Sequence, residues 1–203
     1  MDRAAMRQQF DAMRQQLRTG IAVVSAPQLF ATAVPLAVRA VKCVAPRPGE
    51  RALEPSAGTG RILRALACAQ PDTRRVAVEI NVRLCEALAT VDPHAGIICA
   101  DFLQWQPSEP FDCIVMNPPF GRGVDIAHIR HALAMLRRGG RMAAICAAGP
   151  RQYRELVPLV EAYGGGWEKL PDGTFSEAGT NVNTLLLTFG CKSQGVISGE
   201  QDE

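Results

Sequence analysis

The stretch FDCIVMNPPF, residues 111–120, is the part of the sequence from which the fold can be worked out. A hydrophobic run ends here against one asparagine, two prolines and an aromatic ring. A strand that only has to stop can end on one glycine or an Asp-Gly pair. The double proline therefore predicts a rigid loop at the end of a buried strand, with a shape suited to binding a ligand.

Short apolar strands alternate with helical patterns on both sides of this stretch. Strands are predicted at 51–55, 74–80, 95–102, 111–117 and 140–148, and helices at 60–69, 82–91, 125–138 and around 153–163. Several of these strands are apolar on both faces, which is typical of a parallel sheet covered by helices on both sides. The pattern thus predicts an α/β fold, a three-layer sandwich.

The last two predicted strands, 166–171 and 183–190, are separated by a loop without a helical pattern. A parallel connection needs a crossover of a dozen or more residues, usually a helix. These strands are therefore expected to form an antiparallel hairpin at or near one edge, which completes a mostly parallel sheet of seven strands.

The two ends of the chain differ from its centre. Residues 2–18 have a helical pattern with an apolar stripe and, on another face, a basic stripe. The apolar stripe is Met6, Phe10, Met13 and Leu17, and the basic stripe is Arg3, Arg7, Arg14 and Arg18. The basic stripe is either a solvated face or a contact for nucleic acid. A second helix is predicted at 29–44. We divide the chain into a helical extension (1–25), a catalytic domain (26–190) and a flexible tail (191–203).

Composition narrows the class of protein. With 203 residues, 47% apolar and 21% charged, the chain suits one ordinary domain, and no apolar run approaches the roughly 20 residues of a membrane span. The N-terminus lacks the apolar segment of a signal peptide, so a cytoplasmic location is expected. Seven cysteines without a Cys-x-x-Cys pair predict buried, reduced thiols and no metal site. The net charge of +2 neither requires nor excludes a polyanionic partner.

The stretch LEPSAGTG, residues 53–60, places Glu54 at a strand end and Gly58 and Gly60 in the turn before a helix. Ligands of open α/β sheets bind at the carboxyl ends of the strands, and the first turn usually lines that crevice. A dinucleotide fingerprint would need a third glycine where Leu63 stands. Two glycines alone indicate no more than a tight turn, but a carboxylate beneath them suits a cationic ligand better than a pyrophosphate.

Acidic residues also end the next two strands, Glu79 in VAVEI and Asp101 in ICADF. Each of these acids by itself could be a helix cap or a solvated side chain. Together with Glu54 they predict one crevice with an acid for an amino group, one for ribose hydroxyls and one for an adenine amine.

The series LEPSAGTG, VEI, ADF and MNPPF resembles class I, Rossmann-like, S-adenosylmethionine-dependent methyltransferases over about residues 29–189. Within that family it resembles the enzymes that methylate the exocyclic amine of adenine. The resemblance implies S-adenosylmethionine as cofactor. The residues that it implies for the cofactor site are Phe30, Thr32, Glu54, Ser56, Gly58, Gly60, Glu79, Ile80, Asp101, Phe102 and Asn117. Phe30 and Thr32 lie in a segment that departs from the family's commoner Thr-Pro.

The Asn-Pro-Pro-Phe loop suits the chemistry of an adenine amine, whose lone pair is delocalised into the ring. If the side-chain oxygen of Asn117 and the carbonyl of Pro118 each accept one amine hydrogen, the lone pair is directed at the methyl donor. Prolines supply carbonyls without competing N–H donors and fix φ, which is the role expected of Pro118 and Pro119. Phe120 would stack on a base that is unpaired or flipped out of a duplex.

Candidate substrate contacts lie around this loop. Arg122 would meet a phosphate or face water, and Thr180, Asn181 and Asn183 would touch substrate or belong to a hairpin loop. His128 and His131, on the helix that follows, are predicted to be surface residues.

Three substrate classes remain open at this point. The same loop serves enzymes that methylate a glutamine amide in proteins, while Phe120 favours a base. The chain leaves no length after residue 189 for a separate domain that reads DNA sequence. We therefore expect an adenine methyltransferase acting on DNA with little sequence specificity, with RNA or protein glutamine as the alternatives. A non-catalytic cofactor-binding module is a further possibility, against which the intact Asn117 argues.

Overall fold

The computed structural model describes residues 31–191, and residues 1–30 and 192–203 lie outside this range. The predicted N-terminal helix, Phe30 and all of the tail but residue 191 are therefore outside the described residues. The division of the chain into an extension, a catalytic domain and a tail stays a prediction.

A mixed sheet of seven strands forms the centre, in the order β3-β2-β1-β4-β5-β7-β6. The strands are β1 (Arg51–Pro55), β2 (Arg74–Glu79), β3 (Gly96–Cys99), β4 (Phe111–Met116), β5 (Leu136–Ala147), β6 (Gly166–Lys169) and β7 (Thr184–Phe189). β7 is antiparallel to both β5 and β6 and lies between them. The predicted fold class and the antiparallel pair at the end of the chain are confirmed, with β6 rather than β7 at the edge.

The described helices are α1 (Val34–Val44), α2 (Arg61–Ala69), α3 (Val82–Val91), α4 (Val124–Ala134) and α5 (Pro150–Ala162). Helices α1 and α2 cover one face of the central strands, and α4 and α5 cover the other. All six residues of β4 are buried. Ile114 and Met116 face the α4 side, and Cys113 and Val115 face the α1 side. The motif loop is thus anchored on a fully buried strand at the middle of the sheet.

The sheet order reverses between β1 and β4, because β2 and β3 continue from β1 in one direction and β5 continues from β4 in the other. Helices that leave these strands diverge at such a point and open a crevice at the carboxyl ends. Residues that follow β1, β2, β3 and β4 therefore meet at one edge of the sheet.

The second predicted helix begins later than expected. The sequence predicts residues 29–44, whereas α1 runs from Val34 to Val44 and residues 31–33 are not helical. Pro35 occupies the first turn, where a missing N–H costs nothing. Ala33, directly before the helix, has extended backbone with φ −59° and ψ 141°.

The border between α4 and β5 also differs from the prediction of a helix at 125–138 and a strand at 140–148. Helix α4 ends at Ala134, and β5 starts at Leu136, which pairs with Phe111. The Phe111 N–H donates to the Met135 carbonyl at 2.9 Å. Pairing with β4 thus overrides the helical pattern of residues 135–138, and a register irregularity follows before Arg141 pairs with Cys113.

The cysteines agree only in part with the prediction of buried thiols. Four are buried, Cys43 is half-buried, and Cys68 and Cys99 are exposed. Within residues 31–191, none of the helices combines the length and apolar character needed to cross a membrane.

Candidate active site

A cleft of about 530 Å³ lies at the carboxyl ends of β1 to β4. Ten of the residues predicted for the site line it: Thr32, Glu54, Ser56, Gly58, Glu79, Ile80, Asp101, Phe102, Asn117 and Pro119. The fold therefore brings the three strand-end acids and the asparagine of the motif loop together in one cleft, although they are spread over more than 60 residues of sequence.

Glu79 ends β2 and is fixed by backbone donors on both carboxylate oxygens. Gly58 N–H donates to Oε2 at 2.8 Å, and Asn81 N–H donates to Oε1 at 2.9 Å. Gly58 has a φ of +55°, a left-handed conformation that glycine adopts without strain. The first turn and the end of β2 are thus joined through one buried carboxylate whose remaining lone pairs can accept hydroxyl donors.

Glu54 lines the cleft and is 2% exposed. Burial raises its pKa well above the ordinary value, and the nearby charge of Glu79 adds to this effect, whereas backbone amides of Leu63 and Ile62 oppose it. Its Oε2 atom has no hydrogen-bond partner among the described residues. A buried acceptor without a donor is destabilising unless a ligand supplies that donor.

Gly60 is not among the residues that line the cleft. It precedes α2 with a φ of +73°, and a Cβ there would lie 2.5 Å from the Leu88 side chain. The glycine therefore lets α2 approach α3 closely. Its effect on the cofactor site is exerted through helix packing.

Asn117 follows β4 directly and is held from the opposite side of the cleft. Its Nδ2 donates to Thr32 Oγ1 at 3.0 Å, and Arg61 Nη1 donates to the Thr32 carbonyl at 3.0 Å. The segment before α1 is thereby fixed between α2 and the motif loop. This contact orients the amide plane of Asn117 before any substrate is present.

Phe120 and Pro118 are more buried than a surface loop would suggest. Phe120 is 7% exposed and meets Phe175 edge-on, with ring centroids 5.5 Å apart. Neither Phe120 nor Pro118 is among the residues that line the cleft. Phe120 thus stands beside the cleft, in contact with the segment between β6 and β7.

The remaining predicted substrate residues lie outside the cleft. Arg122 is exposed and has a φ of +55°. Asn181 and Asn183 are exposed and Thr180 is half-exposed, in the segment before β7. The Asn183 carbonyl accepts from Ala148 N–H at 2.7 Å, which ties this segment to the end of β5. These residues therefore form the rim next to the motif loop.

The prediction that His128 is a surface residue is wrong. His128 is 6% exposed and lines the cleft, while His131 is half-buried. His128 follows Val124 by four residues, so the two share one face of α4, and Val124 also lines the cleft. This spacing is the signal that could have placed His128 on the inner face. Arg61 and Asn81 were also missed, because the sequence marks both only as the beginnings of helices.

Comparison with known proteins assigns this site to a family. The family described as "Methyltransferase small domain" matches residues 27–164, more than half of the sequence. The chain belongs to the methyltransferase small-domain family. It has the Rossmann-like fold of S-adenosylmethionine-dependent methyltransferases.

Two curated relatives match parts of this methyltransferase. The Type II methyltransferase M.TthHB8I of Thermus thermophilus is 42% identical over 74 residues, which cover 36% of this chain and 16% of the relative. An rRNA methyltransferase of Streptomyces thermotolerans is 44% identical over 93 residues, covering 43% of this chain and 30% of the relative. The matched parts thus amount to less than a third of either relative's length.

The fold also matches solved methyltransferase structures. The crystal structure of the 23S rRNA methyltransferase ErmE superimposes with a TM-score of 0.60 at 20% identity, covering 84% of this chain and 72% of that one. At this identity the likeness concerns the fold alone.

The residues of the cleft fit S-adenosylmethionine. The cofactor carries an ammonium group, ribose hydroxyls and an adenine amine, all of them donors, and the cleft offers Glu54, Glu79 and Asp101 in the order of adjacent strands. The unpaired Oε2 of Glu54 has the character expected of an acceptor for the ammonium group. Glu79 would hold the ribose, and Asp101 with Phe102 would hold the adenine.

Proposed function

We propose that this methyltransferase transfers a methyl group to the exocyclic amine of adenine in DNA, with little sequence specificity. The observation that carries the proposal is the position of Asn117. It lies at the end of the buried strand β4, lines the cofactor cleft, and has its amide held by Thr32 at 3.0 Å.

The chemistry required of the protein is positioning. The cofactor supplies an electrophilic methyl group on a sulfonium. Asn117 Oδ1 and the Pro118 carbonyl would each accept one amine hydrogen, so that the nitrogen lone pair points at this methyl group. With the methyl donor bound, a nitrogen–carbon bond would form as the sulfur–carbon bond breaks, and the amine would then release one proton to water.

The aromatic ring of Phe120 favours a planar substrate such as a base, provided that the base can reach the ring. Because the ring is only 7% exposed and packs against Phe175, a base must displace part of this cover before it can stack. Such stacking contributes roughly 1–3 kcal/mol per base. The target has to be unpaired or flipped out to reach this ring.

Two arginines beside the motif loop support a polyanionic substrate. Arg122 is exposed, and the Arg151 guanidinium lies against Gly123, where a Cβ would be 2.7 Å from Nη1. Arg151 also pairs with Glu155 at 2.8 Å. Replacing Arg122 with alanine should weaken nucleic-acid binding and reduce its salt dependence, whereas Arg138→Ala, an exposed control at the other end of β5, should do neither.

RNA is the second candidate, because one of the two relatives is an rRNA methyltransferase. Incubation with labelled S-adenosylmethionine and duplex DNA, single-stranded DNA, ribosomal RNA or total protein distinguishes the classes, once the methylated product is identified. Label in N6-methyladenine from DNA supports the proposal. Label confined to RNA or to protein glutamine would retain the mechanism and reject the DNA assignment.

Asn117→Ala tests the mechanism itself. Loss of one acceptor that acts mainly in the transition state should lower turnover by roughly two to three orders of magnitude, by analogy with loss of an oxyanion-hole donor. Binding of S-adenosylhomocysteine, measured by calorimetry, should remain close to that of the parent. Asn181→Ala, which removes an exposed asparagine outside the cleft, is the matched control and should lower turnover far less. Parent-like turnover of Asn117→Ala would refute the role of this amide.

A further inference from the structure

His128 is a histidine in the cofactor cleft that the proposed mechanism does not use. It lies on α4, lines the cleft and is 6% exposed. Its ring is 5.6 Å from that of Phe102, centroid to centroid, and Phe102 directly follows Asp101. His128 therefore stands at the end of the cleft where residues after β3 collect.

The hydrogen bonds of His128 define its tautomer. Nδ1 lies 2.9 Å from the Val124 carbonyl oxygen. A carbonyl oxygen can only accept, so Nδ1 carries the hydrogen, and in the neutral ring Nε2 has a free lone pair. Nε2 has no hydrogen-bond partner among the described residues, and it is not sealed from the cleft.

The ring is held in its neutral form. Burial lowers the pKa of His128, and although the Val124 carbonyl and the charge of Asp101 act in the opposite direction, burial prevails. Nε2 is therefore an acceptor, and not a donor, at neutral pH.

We propose that His128 is a specificity residue for the cofactor, and that its Nε2 accepts a hydrogen from the 6-amino group of the adenine of S-adenosylmethionine. The amine has two hydrogens, and the second is available to Asp101. Asp101 Oδ1 already accepts from Leu103 N–H at 3.0 Å, which holds the carboxylate in place. Two acceptors at one end of the cleft match an amine and oppose a 6-oxo purine.

The neighbouring His131 shows why His128 alone takes this role. Its Nε2 lies 3.0 Å from the Trp105 carbonyl oxygen and must donate there. Its ring packs edge-on against Phe102 with centroids 4.9 Å apart. Both histidines thus support Phe102, but only His128 has an acceptor left for a ligand in the cleft.

The test compares S-adenosylhomocysteine with S-inosylhomocysteine, which differs by a 6-oxo group, using calorimetry on the full chain. His128→Phe keeps an aromatic ring against Phe102 and removes the acceptor. We expect it to weaken S-adenosylhomocysteine binding roughly fivefold to tenfold, as for one neutral hydrogen bond, and to tighten binding of the 6-oxo compound, because the acceptor that opposes its 6-oxo oxygen is removed. His128→Gln, which retains an acceptor, should recover part of the discrimination.

His131→Phe is the matched control and should leave the ratio of the two dissociation constants at the parent value. An unchanged ratio in His128→Phe, or an equal loss for both ligands, would assign His128 to packing and overturn the proposal.

Nitrogen NMR of the parent tests the proposal without any variant. The His128 Nε2 resonance should be that of an unprotonated nitrogen and should shift on adding S-adenosylhomocysteine, and a protonated Nε2 in the complex would also overturn it. The outcome does not depend on whether the substrate is DNA.

Discussion

The carboxyl group of Glu54 is kept in surroundings that disfavour its charge. It is 2% exposed, one oxygen has no partner among the described residues, and burial raises its pKa well above the ordinary value. A group whose folded-state pKa is raised contributes most to stability at low pH, and this contribution is lost as the pH rises towards the folded pKa. Burying the ionised Glu54 carboxylate in the cofactor site thus lowers the stability of the fold, and a bound ammonium group would offset this loss.

Replacing Glu54 with glutamine should separate these two effects. The neutral amide removes the buried charge, so the midpoint of thermal unfolding without cofactor should exceed that of the parent. The difference should be small below about pH 4, where the carboxyl is protonated in both states, and should widen as the pH rises above the unfolded-state pKa, because the unfolded chain then ionises while the folded carboxyl stays protonated. Binding of S-adenosylhomocysteine should weaken because an amide attracts an ammonium group less strongly than a carboxylate does.

Glu86→Gln serves as the control for this prediction, because Glu86 is exposed on α3 and is not among the residues that line the cleft. It should change neither the unfolding midpoint nor the affinity. Undiminished affinity of Glu54→Gln would show that the ammonium group is held elsewhere.

At the scale of secondary-structure elements, Asp125 joins the motif loop to two neighbours. Its side chain is 0% exposed, and Oδ2 accepts from Ala147 N–H at 3.1 Å, at the end of β5. Gln152 Nε2, on α5, donates to its two oxygens at 3.1 and 3.0 Å. The first turn of α4, and with it the loop from Asn117, is therefore positioned by one buried carboxylate.

Asp125→Ala should leave the Ala147 amide and the Gln152 side chain without their acceptor. A loss of about 1–3 kcal/mol in the free energy of unfolding is expected, measured by urea denaturation. Turnover should fall more than cofactor affinity, and amide exchange of residues 118–124 should accelerate. Asp72→Ala, at an exposed loop position, is the control. Unchanged exchange in the loop would mean that β4 alone positions it.

A second junction, between β2 and α3, depends on a buried ion pair. Arg75 Nε and Asp92 Oδ2 are 2.5 Å apart, and both side chains are under 5% exposed. Arg75 Nη1 also donates to the carbonyls of Pro71 and Thr73 at 2.8 and 2.9 Å. Burial alone would raise the pKa of Asp92, but the hydrogen bonds from Arg75 and the His94 N–H lower it below its ordinary value.

Asp92→Ala should destabilise the fold by about 3–5 kcal/mol, because it leaves a buried guanidinium without its counter-ion. The double change Arg75→Met with Asp92→Leu should recover much of this loss. The sign of the pH dependence follows from the lowered pKa of Asp92. The stabilisation that its carboxylate gives the parent is complete above the unfolded-state pKa, about 4, and is lost as the pH falls through the folded-state pKa. Urea titrations across this range measure it, and equal losses in the single and double variants would contradict it.

At the scale of the whole molecule, the charge is unevenly distributed. Residues 1–19 contain four arginines and two aspartates, so the rest of the chain is formally neutral. Within this remainder the catalytic domain (26–190) carries a net charge of +2 and the tail (191–203) a net charge of −2, so the N-terminal segment has the charge of the whole catalytic domain in far fewer residues.

Deletion of residues 1–19 should therefore weaken binding to nucleic acid and flatten its dependence on salt, while the affinity for S-adenosylhomocysteine stays the same. Fluorescence anisotropy at several salt concentrations measures the slope. Replacing the four arginines of this segment with glutamine in the full-length chain separates charge from length. A salt slope equal to that of the parent would assign the segment to packing or assembly.

The sequence by itself determined the class of fold and predicted ten of the residues that line the cleft. Strands apolar on both faces, acids at strand ends and a double proline are local patterns, and the carboxyl ends of neighbouring parallel strands meet in any sheet of this kind. Glu54, Glu79 and Asp101 were expected in one crevice on these grounds, and Asn117 was added by the family resemblance; the structure brings all four to one cleft.

Only the tertiary structure decided which other side chains face the cleft. His128 has the polar character of a surface residue, and its burial depends on how α4 packs over Phe102. Likewise, β5 begins at Leu136 because β4 lies beside it, and Phe120 is covered because the segment before β7 brings Phe175 to it. Such contacts join residues far apart in the chain, so no local period or turn signal records them, whereas strand ends and turns are set by residues that are neighbours in sequence.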